Sequence, residues 1–545
     1  MTDSLGNARP KSPLRIAATA FALALALGLV AALVADALTS GLSGADEPAH
    51  FLNAYVITRY MTDAFGSDPM AFVETFYVHY PKISLGHWPP AFYAAFSPLF
   101  LVLPATPATA FAVNLLLCAI PPVLVAAMLS PTCGRTAALG GAALAALTPV
   151  ALEGNAFFML DAATSALCLA ATMLWIAFAD RPTWPRILGF AIFATTAILV
   201  KGNGWLIPLV PAFHIALTGR WRLLASAKPY VAAALALTLV GPWYWLTASI
   251  SGDGFNYEAG FAYATQALVA NVASLLLNLT PLAPILAAIA VRNAWRRRRA
   301  DPARWSVVAG CLALILATLA LQSIVPVDIV DRYMAPALLP LVVLAVAGLC
   351  ELKLRAVFAI IAATGLAVPG LAHLATREPK IDFRLDEVAR HAVGNPAGQA
   401  WLIDGSSGAE GSFIVEMAIR DPALTGYAVR ASQILSRSDF MGRGYALKTR
   451  DPAVVLTELS RLGITGVALV RPGPGEVGRA AYPHGDLLRS ALTTPGSGFT
   501  RTAALRHDNR PGVTEVFRAI TPRRANAAAL DALGTPAKAK ALTGR

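Results

Sequence analysis

Two adjacent carboxylates, Asp46 and Glu47, stand in the stretch SGADEPAHFLNAY (43–55), just beyond a long apolar run. Paired acids of this kind can begin a helix, or they can work as a general base. In the first role Asp46 is the N-cap, Pro48 lies in the first turn, and both acids sit beside the positive end of the helix dipole. The setting favours the second role, because carboxylates close to lipid are costly and tend to mark function. Phe51, Leu52, Tyr55 and Val56 form an amphipathic stretch able to lie along a membrane interface, and His50 and Arg59 fall on the same stretch as cavity candidates.

Cations follow in HYPKISLGHWPPAFYAAF (79–96), where Lys82 and His87 precede a Pro-Pro pair that opens a helix. They are candidate anion-binding groups. Simpler roles exist as well: Lys82 can snorkel to headgroups, and Trp88 and Tyr93 can be interfacial aromatics. Further charges interrupt apolar runs. Glu153 and Asp161 stand in TPVALEGNAFFMLDAATSALCL, Lys201 in AILVKGNGWLIPLVP, and Asp328, Asp331 and Arg332 in VPVDIVDRYMAPALLP. Each alone can be a packing ion pair or a loop residue. Together they predict a polar cavity open to the external side.

The elements that must position these groups are membrane helices. The 545 residues are 56% hydrophobic and 14% charged, with mean hydropathy +0.58. A water-soluble chain of this length needs more charge to cover its surface. Apolar runs of about 18–23 residues recur, each long enough to cross a bilayer. Arg9, Lys11 and Arg15 precede the first run, which is too long for a signal peptide. A retained first helix with a cytoplasmic N-terminus is expected. Further spans are expected near 89–106, 108–129, 136–152, 157–179, 185–200, 203–217, 228–249, 270–291, 303–324, 333–350 and 355–373.

Charge sets the orientation. RNAWRRRRADPAR (292–304) is the strongest cytoplasmic anchor, with GRWRLLASAK (219–228) and ELKLR (351–355) weaker ones. The stretches 249–266 and 325–334 then fall outside, as does everything after about residue 376. An external end requires an odd number of crossings, so one of the short runs at 89–106, 185–200 and 203–217 must be re-entrant, or two must form one broken helix. The net charge of +12 arises from cations at helix ends, which excludes nucleic acid as the reason for it. The five cysteines lie in or beside apolar runs, without metal-ligand spacing.

Residues 376–522 are a different material. AWLID (400–404), GYAVRAS (426–432), ITGVALVRP (464–472) and GVTEVFRAI (512–520) alternate with helix-like pieces, which argues for a small external α/β domain. Residues 523–545 are expected to be a flexible end. GSSGAEG (405–411) looks like a phosphate turn, but its spacing is not that of a dinucleotide motif, and a tight turn is the simpler reading. The expected fold is thus an all-α polytopic transmembrane bundle of about 11–13 helices over residues 1–375, with a first external loop at 40–88 and a C-terminal α/β domain.

The acid pair, HWPPAFY, FFMLDAATS, VKGNG and DRYMAPALLP occur in an order that resembles the GT-C membrane glycosyltransferases. Within them the chain is most similar to the dolichyl-phosphate-mannose protein mannosyltransferases (glycosyltransferase family 39) and the bacterial aminoarabinose lipid A transferases. The likeness covers about residues 14–373. It implies a polyprenyl-phosphate-sugar donor used at the outer face of the plasma membrane, with a protein, lipid A or envelope glycan as acceptor. It places Asp46 as the catalytic acid with Glu47 its neighbour. Lys201 and Arg332 match basic positions. His87 stands near a position where many members carry lysine before the Pro pair.

Sugar transfer from a lipid phosphate needs a base for the acceptor and positive charge for the departing phosphate. Asp46 is then the base, and Lys82, His87, Lys201 and Arg332 are the phosphate partners. A divalent ion beside the acids is compatible with this chemistry, but no histidine or cysteine cluster demands one. A transporter or lipid flippase would also carry charges in a midplane cavity, and would add inverted repeats, of which the sequence shows no sign. A non-catalytic envelope-assembly protein would use the acids as caps and the C-terminal domain as the working part.

Overall fold

The computed structural model describes residues 13–252, 254–255, 257–438, 443–473 and 483–533. The cations Arg9 and Lys11 and the stretch 534–545 of the expected flexible end lie outside the described residues. Among the described residues, eight helices are long and apolar enough to cross a membrane: Pro13–Val34, Pro107–Ala146, Asp161–Asp180, Ala227–Leu246, Phe261–Leu279, Pro302–Ile324, Asp331–Glu351 and Ala356–Thr376. A repeated local grammar starts several helices. Asp68, Thr106, Thr148 and Asp301 each accept a backbone N–H from the first turn, and each is followed by proline at the first helical position.

Several expected spans are not simple helices. The run at 89–106 is two short helices, Ala91–Phe96 and Leu99–Val102, interrupted at Ser97–Pro98. The run at 203–217 is a 3₁₀ turn, Gly202–Leu206, followed by the short helix Leu209–Thr218. The run at 270–291 is two helices, Phe261–Leu279 and Leu282–Arg296, broken at Thr280, whose φ is +60°. The Pro107–Ala146 stretch is itself kinked at Gly134, with φ 78°.

The bundle has two chemically distinct ends. Helix Asp161–Asp180 is about 30 Å long. Asp161 pairs with Lys201 at one end, and Asp180 pairs with Arg220 at the other. Helix Asp331–Glu351 repeats this: Arg332 lies at the first end, and Glu351 pairs with Arg304 at the second. The arginine-rich stretch 292–304 therefore lies at the end opposite Asp46. Leu235, Leu237 and Leu239 on one outer helix and Val357, Ile360 and Ile361 on another remain exposed, as expected where lipid is the solvent.

The C-terminal domain contains β1 (Ala400–Asp404), β2 (Tyr427–Arg430), β3 (Ser436–Arg437), β4 (Ala446–Leu447), β5 (Gly466–Pro472), β6 (Phe499–Arg506) and β7 (Gly512–Ala519). Five of these form one sheet in the order β2-β1-β5-β7-β6. β1 runs parallel to β2 and β5, whereas β7 is antiparallel to both β5 and β6. β1 is buried throughout, as an inner parallel strand with both faces covered should be. The end expected to be flexible is packed as far as residue 533: the Asn526 N–H donates to Leu462 O, and Leu530 joins the domain core.

The domain is seated on the bundle through a shared core. Phe51, Leu52 and Tyr55 of helix Glu47–Asp63 belong to one apolar cluster with Trp401, Phe413 and Ile414. Helix Ser407–Arg420 makes this contact. Its Gly408 and Gly411 lie where a Cβ would meet Ser43 O at 2.0 Å and Pro48 Cβ at 2.7 Å. The glycines of GSSGAEG thus permit close approach to the acid-bearing segment.

Candidate active site

Asp46 occupies the N-cap position of helix Glu47–Asp63 but makes no cap bond. Its backbone is already helical (φ −96°, ψ −24°), not extended as in most capping residues. The carboxylate instead accepts a hydrogen bond from Arg332 Nη2 at 3.0 Å. Arg332 sits in the 3₁₀ turn Asp331–Met334, which leads into helix Ala335–Glu351.

A second ion pair stands beside the first. Lys201 is the extended residue (φ −156°, ψ 143°) between helix Trp184–Val200 and the turn Gly202–Leu206. The turn requires Gly204, since a Cβ there would lie 2.4 Å from the Ala197 carbonyl. Lys201 Nζ donates to Asp161 Oδ1 at 2.6 Å. The Tyr333 ring joins the two pairs, 4.7 Å from Lys201 Nζ and 5.7 Å from the Arg332 guanidinium carbon. Asp161 Oδ2 and Arg332 Nε are buried without a hydrogen-bond partner.

His50 lies one turn along from Asp46. Its Nδ1 is 2.8 Å from Tyr93 Oη, and its ring meets Trp88 edge-on at 4.5 Å. Lys82 donates to Ser407 O at 3.1 Å and Ser407 Oγ at 2.8 Å, at the start of the C-terminal domain's docking helix. His87 is half-buried on the turn before the Pro pair, where its N–H donates to Ser84 O. Glu47 is fully buried and accepts from Gly44 N, Phe158 N and Lys380 Nζ.

The structure therefore gathers Asp46, Arg332, Asp161 and Lys201, with His50 and Lys82 in the field of Asp46. It does not gather Arg59, which pairs with Asp63 and donates to Pro422 O. Glu153 also points elsewhere, to Arg377 at 2.6 Å and His373 at 3.1 Å. Sequence reasoning passed over Tyr333 and Lys380. The first adjoins Arg332 within the DRYM motif, while the second has no signal of its own in the connector after the last apolar helix.

Burial pushes the Asp46 carboxyl up, but the Arg332 guanidinium and, less strongly, His50 and Lys82 outweigh it and hold the group below its ordinary value. Burial drives His50 down to about 4, despite the opposing pull of Asp46. It lowers Lys82 to about 8, with Arg430 adding to the effect. At neutral pH the site thus holds an ionised carboxylate, a neutral imidazole and several cations. Among the described residues, no group of three or more His, Cys, Asp or Glu side chains comes together as a metal site.

A family profile described as dolichyl-phosphate-mannose-protein mannosyltransferase matches residues 88–245, a stretch that includes Asp161 and Lys201. Among solved structures, ArnT from Cupriavidus metallidurans in the apo state superposes with a TM-score of 0.55 at 14% identity, covering 91% of this chain and 97% of that one. The fold is that of the GT-C glycosyltransferases. The same ArnT bound to undecaprenyl phosphate gives 0.53 at 14% identity, with the same coverage. The Archaeoglobus fulgidus oligosaccharyltransferase, in complex with Zn and sulfate, gives 0.50 at 13% identity, covering 81% of this chain and 67% of that one. No curated protein sequence matches the chain. The GT-C fold expected from the order of the motifs is the one observed, including a C-terminal domain built around a sheet.

Proposed function

We propose that this protein transfers a sugar from a polyprenyl-phosphate donor to an acceptor at the external face of the plasma membrane, by a single inverting displacement. Asp46 takes the proton from the acceptor nucleophile as that nucleophile attacks the anomeric carbon. The bond from that carbon to the phosphate oxygen breaks, and the polyprenyl phosphate leaves as an anion. Arg332 and Lys201 receive the developing charge, with Lys82 and His87 as further partners at the rim. The polyprenyl tail stays in lipid while its headgroup reaches the acids. The acceptor is a hydroxyl or acid of a protein, lipid A or envelope glycan.

One observation carries this reading: Asp46 stands where a helix cap belongs and is turned instead toward Arg332. The undecaprenyl phosphate bound to ArnT, a protein of the same fold, supports a polyprenyl phosphate as leaving group here. The separation of the arginine-rich end from the Asp46 end supports an external site with a cytoplasmic N-terminus. The test is Asp46→Asn, with envelope glycolipids and glycoproteins compared by mass spectrometry against wild-type and deletion cells. The protein-dependent product should fall by about 10²–10⁴-fold at unchanged membrane expression. Full product from that variant would refute the base role.

A further inference from the structure

Glu47 and Lys380 form an ion pair whose side chains are 0% and 1% exposed. Lys380 Nζ lies 2.9 and 3.0 Å from the two carboxylate oxygens and also donates to Gly41 O at 3.0 Å. The rings of Phe111 and Phe157 flank the ammonium at 4.5 and 4.7 Å. A buried pair of this kind is poorly explained by stability alone, because apolar replacements of similar volume are often neutral or better. Its connections are more informative.

Glu47 accepts two further N–H bonds. One comes from Gly44 at 2.6 Å, in the segment that leads to Asp46. The other comes from Phe158 at 2.7 Å, three residues before Asp161. One carboxylate thus ties together the backbones that carry the two acids of the site. Lys380 completes the tie from the connector between helix Ala356–Thr376 and β1. Its own backbone is fixed to the end of the first helix: its N–H donates to Ala35 O, and its carbonyl accepts from Ser40 Oγ.

We infer that Lys380 is a positioning residue which, through Glu47, sets the placement of Asp46 and Asp161 and so makes the C-terminal connector part of the catalytic constellation. This rests on Asp46 as the base. Glu47 then orients and transfers no proton. The contact of Lys82 with Ser407 and the Gly408–Ser43 approach bind the same segment from the same domain.

The test uses the full-length protein in membranes, with a lipid extract of the producing cells as the source of donor and acceptor. Lys380→Met alone leaves an uncompensated buried carboxylate and is expected to fold poorly. The informative variants are Glu47→Gln/Lys380→Met, which removes both charges, and Lys380→Arg, which keeps both but changes the shape of the cation. The double variant should keep its thermal transition yet form product about tenfold more slowly or worse. Arg332, Lys82 and His50 face Asp46, and Lys201, Tyr93 and Tyr333 also lie in its field. With Asp46 no longer held on Arg332, the acid limb of the pH–rate profile should move up. Amide exchange should rise together in peptides covering 41–50 and 156–162, with β1 unchanged. Lys380→Arg should show the same changes to a smaller degree.

A folded double variant with wild-type rate, acid limb and exchange overturns the inference. If the double variant does not fold, an unaltered Lys380→Arg does so. Asp46→Asn run alongside separates the two claims. If it is inactive while these variants are unaffected, the positioning role alone fails; if it is fully active, the base reading fails, and the exchange data still decide whether Lys380 couples the two acid segments.

Discussion

Arg332 reaches across 286 positions of sequence to place its guanidinium 3.0 Å from the carboxylate of Asp46. That contact takes the place of the cap bond that the first acid of the Asp-Glu pair could make to its own helix. Burial alone would raise the Asp46 carboxyl, and Arg332 is the largest opposing influence. A base with a depressed pKa stays ionised into acid, so transfer should fall only once the pH drops below the ordinary carboxylate range. Arg332→Met leaves burial unopposed by its strongest partner. The acid limb should then move up, and the maximal rate should fall by about 10²-fold through loss of a proposed phosphate partner. Rates of product formation measured across pH check both; an unmoved limb would show that Arg332 does not tune the base.

The alkaline side reports on Lys82. Burial lowers its ammonium to about 8, so the group is charged below that pH and neutral above it. A phosphate partner works only while charged, and activity should therefore decline as the pH rises through about 8. Arginine remains charged throughout this range. Lys82→Arg should remove the alkaline limb even where it lowers the rate. A wild-type profile flat well beyond pH 8 would exclude Lys82 from phosphate binding.

Lys201 and Asp161 allow stability and chemistry to be separated. Their side chains are 8% and 10% exposed, and removal of one partner leaves a buried charge alone. Lys201→Met should destabilise the protein by about 3–5 kcal/mol, as judged by thermal unfolding in detergent. Lys201→Met/Asp161→Asn should recover most of that loss, because no lone charge remains. Activity should not return with it, since the proposed phosphate partner is still missing. Recovery of product formation in the double variant would reduce the pair to a packing device.

Much of this was legible in the sequence, for physical reasons that differ by element. Membrane helices announce themselves because the apolar length needed to cross lipid is long. β1, β5 and β7 were readable as apolar runs with one or both faces covered. β6 was not, because it is an edge strand whose residues are mostly exposed. The break at Thr280 escaped because apolar composition continues through it, although Pro281 directly after it was a helix-boundary signal. At the site, Asp46, Lys201, Asp161 and Arg332 were visible as charges in apolar surroundings. Which acid pairs with which base was not, since partners such as Glu47 and Lys380 lie 333 positions apart. Glu153 and Arg59 had the same signature and are held by other partners, Arg377 and Asp63.

The proposed orientation can be tested at the two ends of the bundle. On a cysteine-free background, Ser67→Cys on the Asp46 side should react with a membrane-impermeant thiol reagent added to intact cells. Arg299→Cys, in the arginine-rich stretch at the opposite end, should react only after permeabilisation. The reverse pattern would put the acids on the cytoplasmic side and end the proposal of transfer at the external face.

The seating of the C-terminal domain gives the sharpest steric test. At Gly408 the nearest neighbour of an added Cβ is the carbonyl oxygen of Ser43, at 2.0 Å, followed by further backbone atoms. Backbone cannot swing aside as a flexible side chain can. Gly408→Ala must therefore lift helix Ser407–Arg420 from the segment that carries Asp46, or shift that segment itself. A cost of about 1–3 kcal/mol is expected. Product formation should fall further than the loss of folded protein explains, because the displaced segment holds the proposed base. Gly140 is the control: it is helical with nothing within 4 Å of an added Cβ, and Gly140→Ala should be neutral or stabilising by up to ~1 kcal/mol. Thermal unfolding and product per folded molecule, measured on both variants, distinguish a catalytic seat from a loosely attached domain. In the second case Gly408→Ala would lower Tm and leave the rate per folded molecule unchanged.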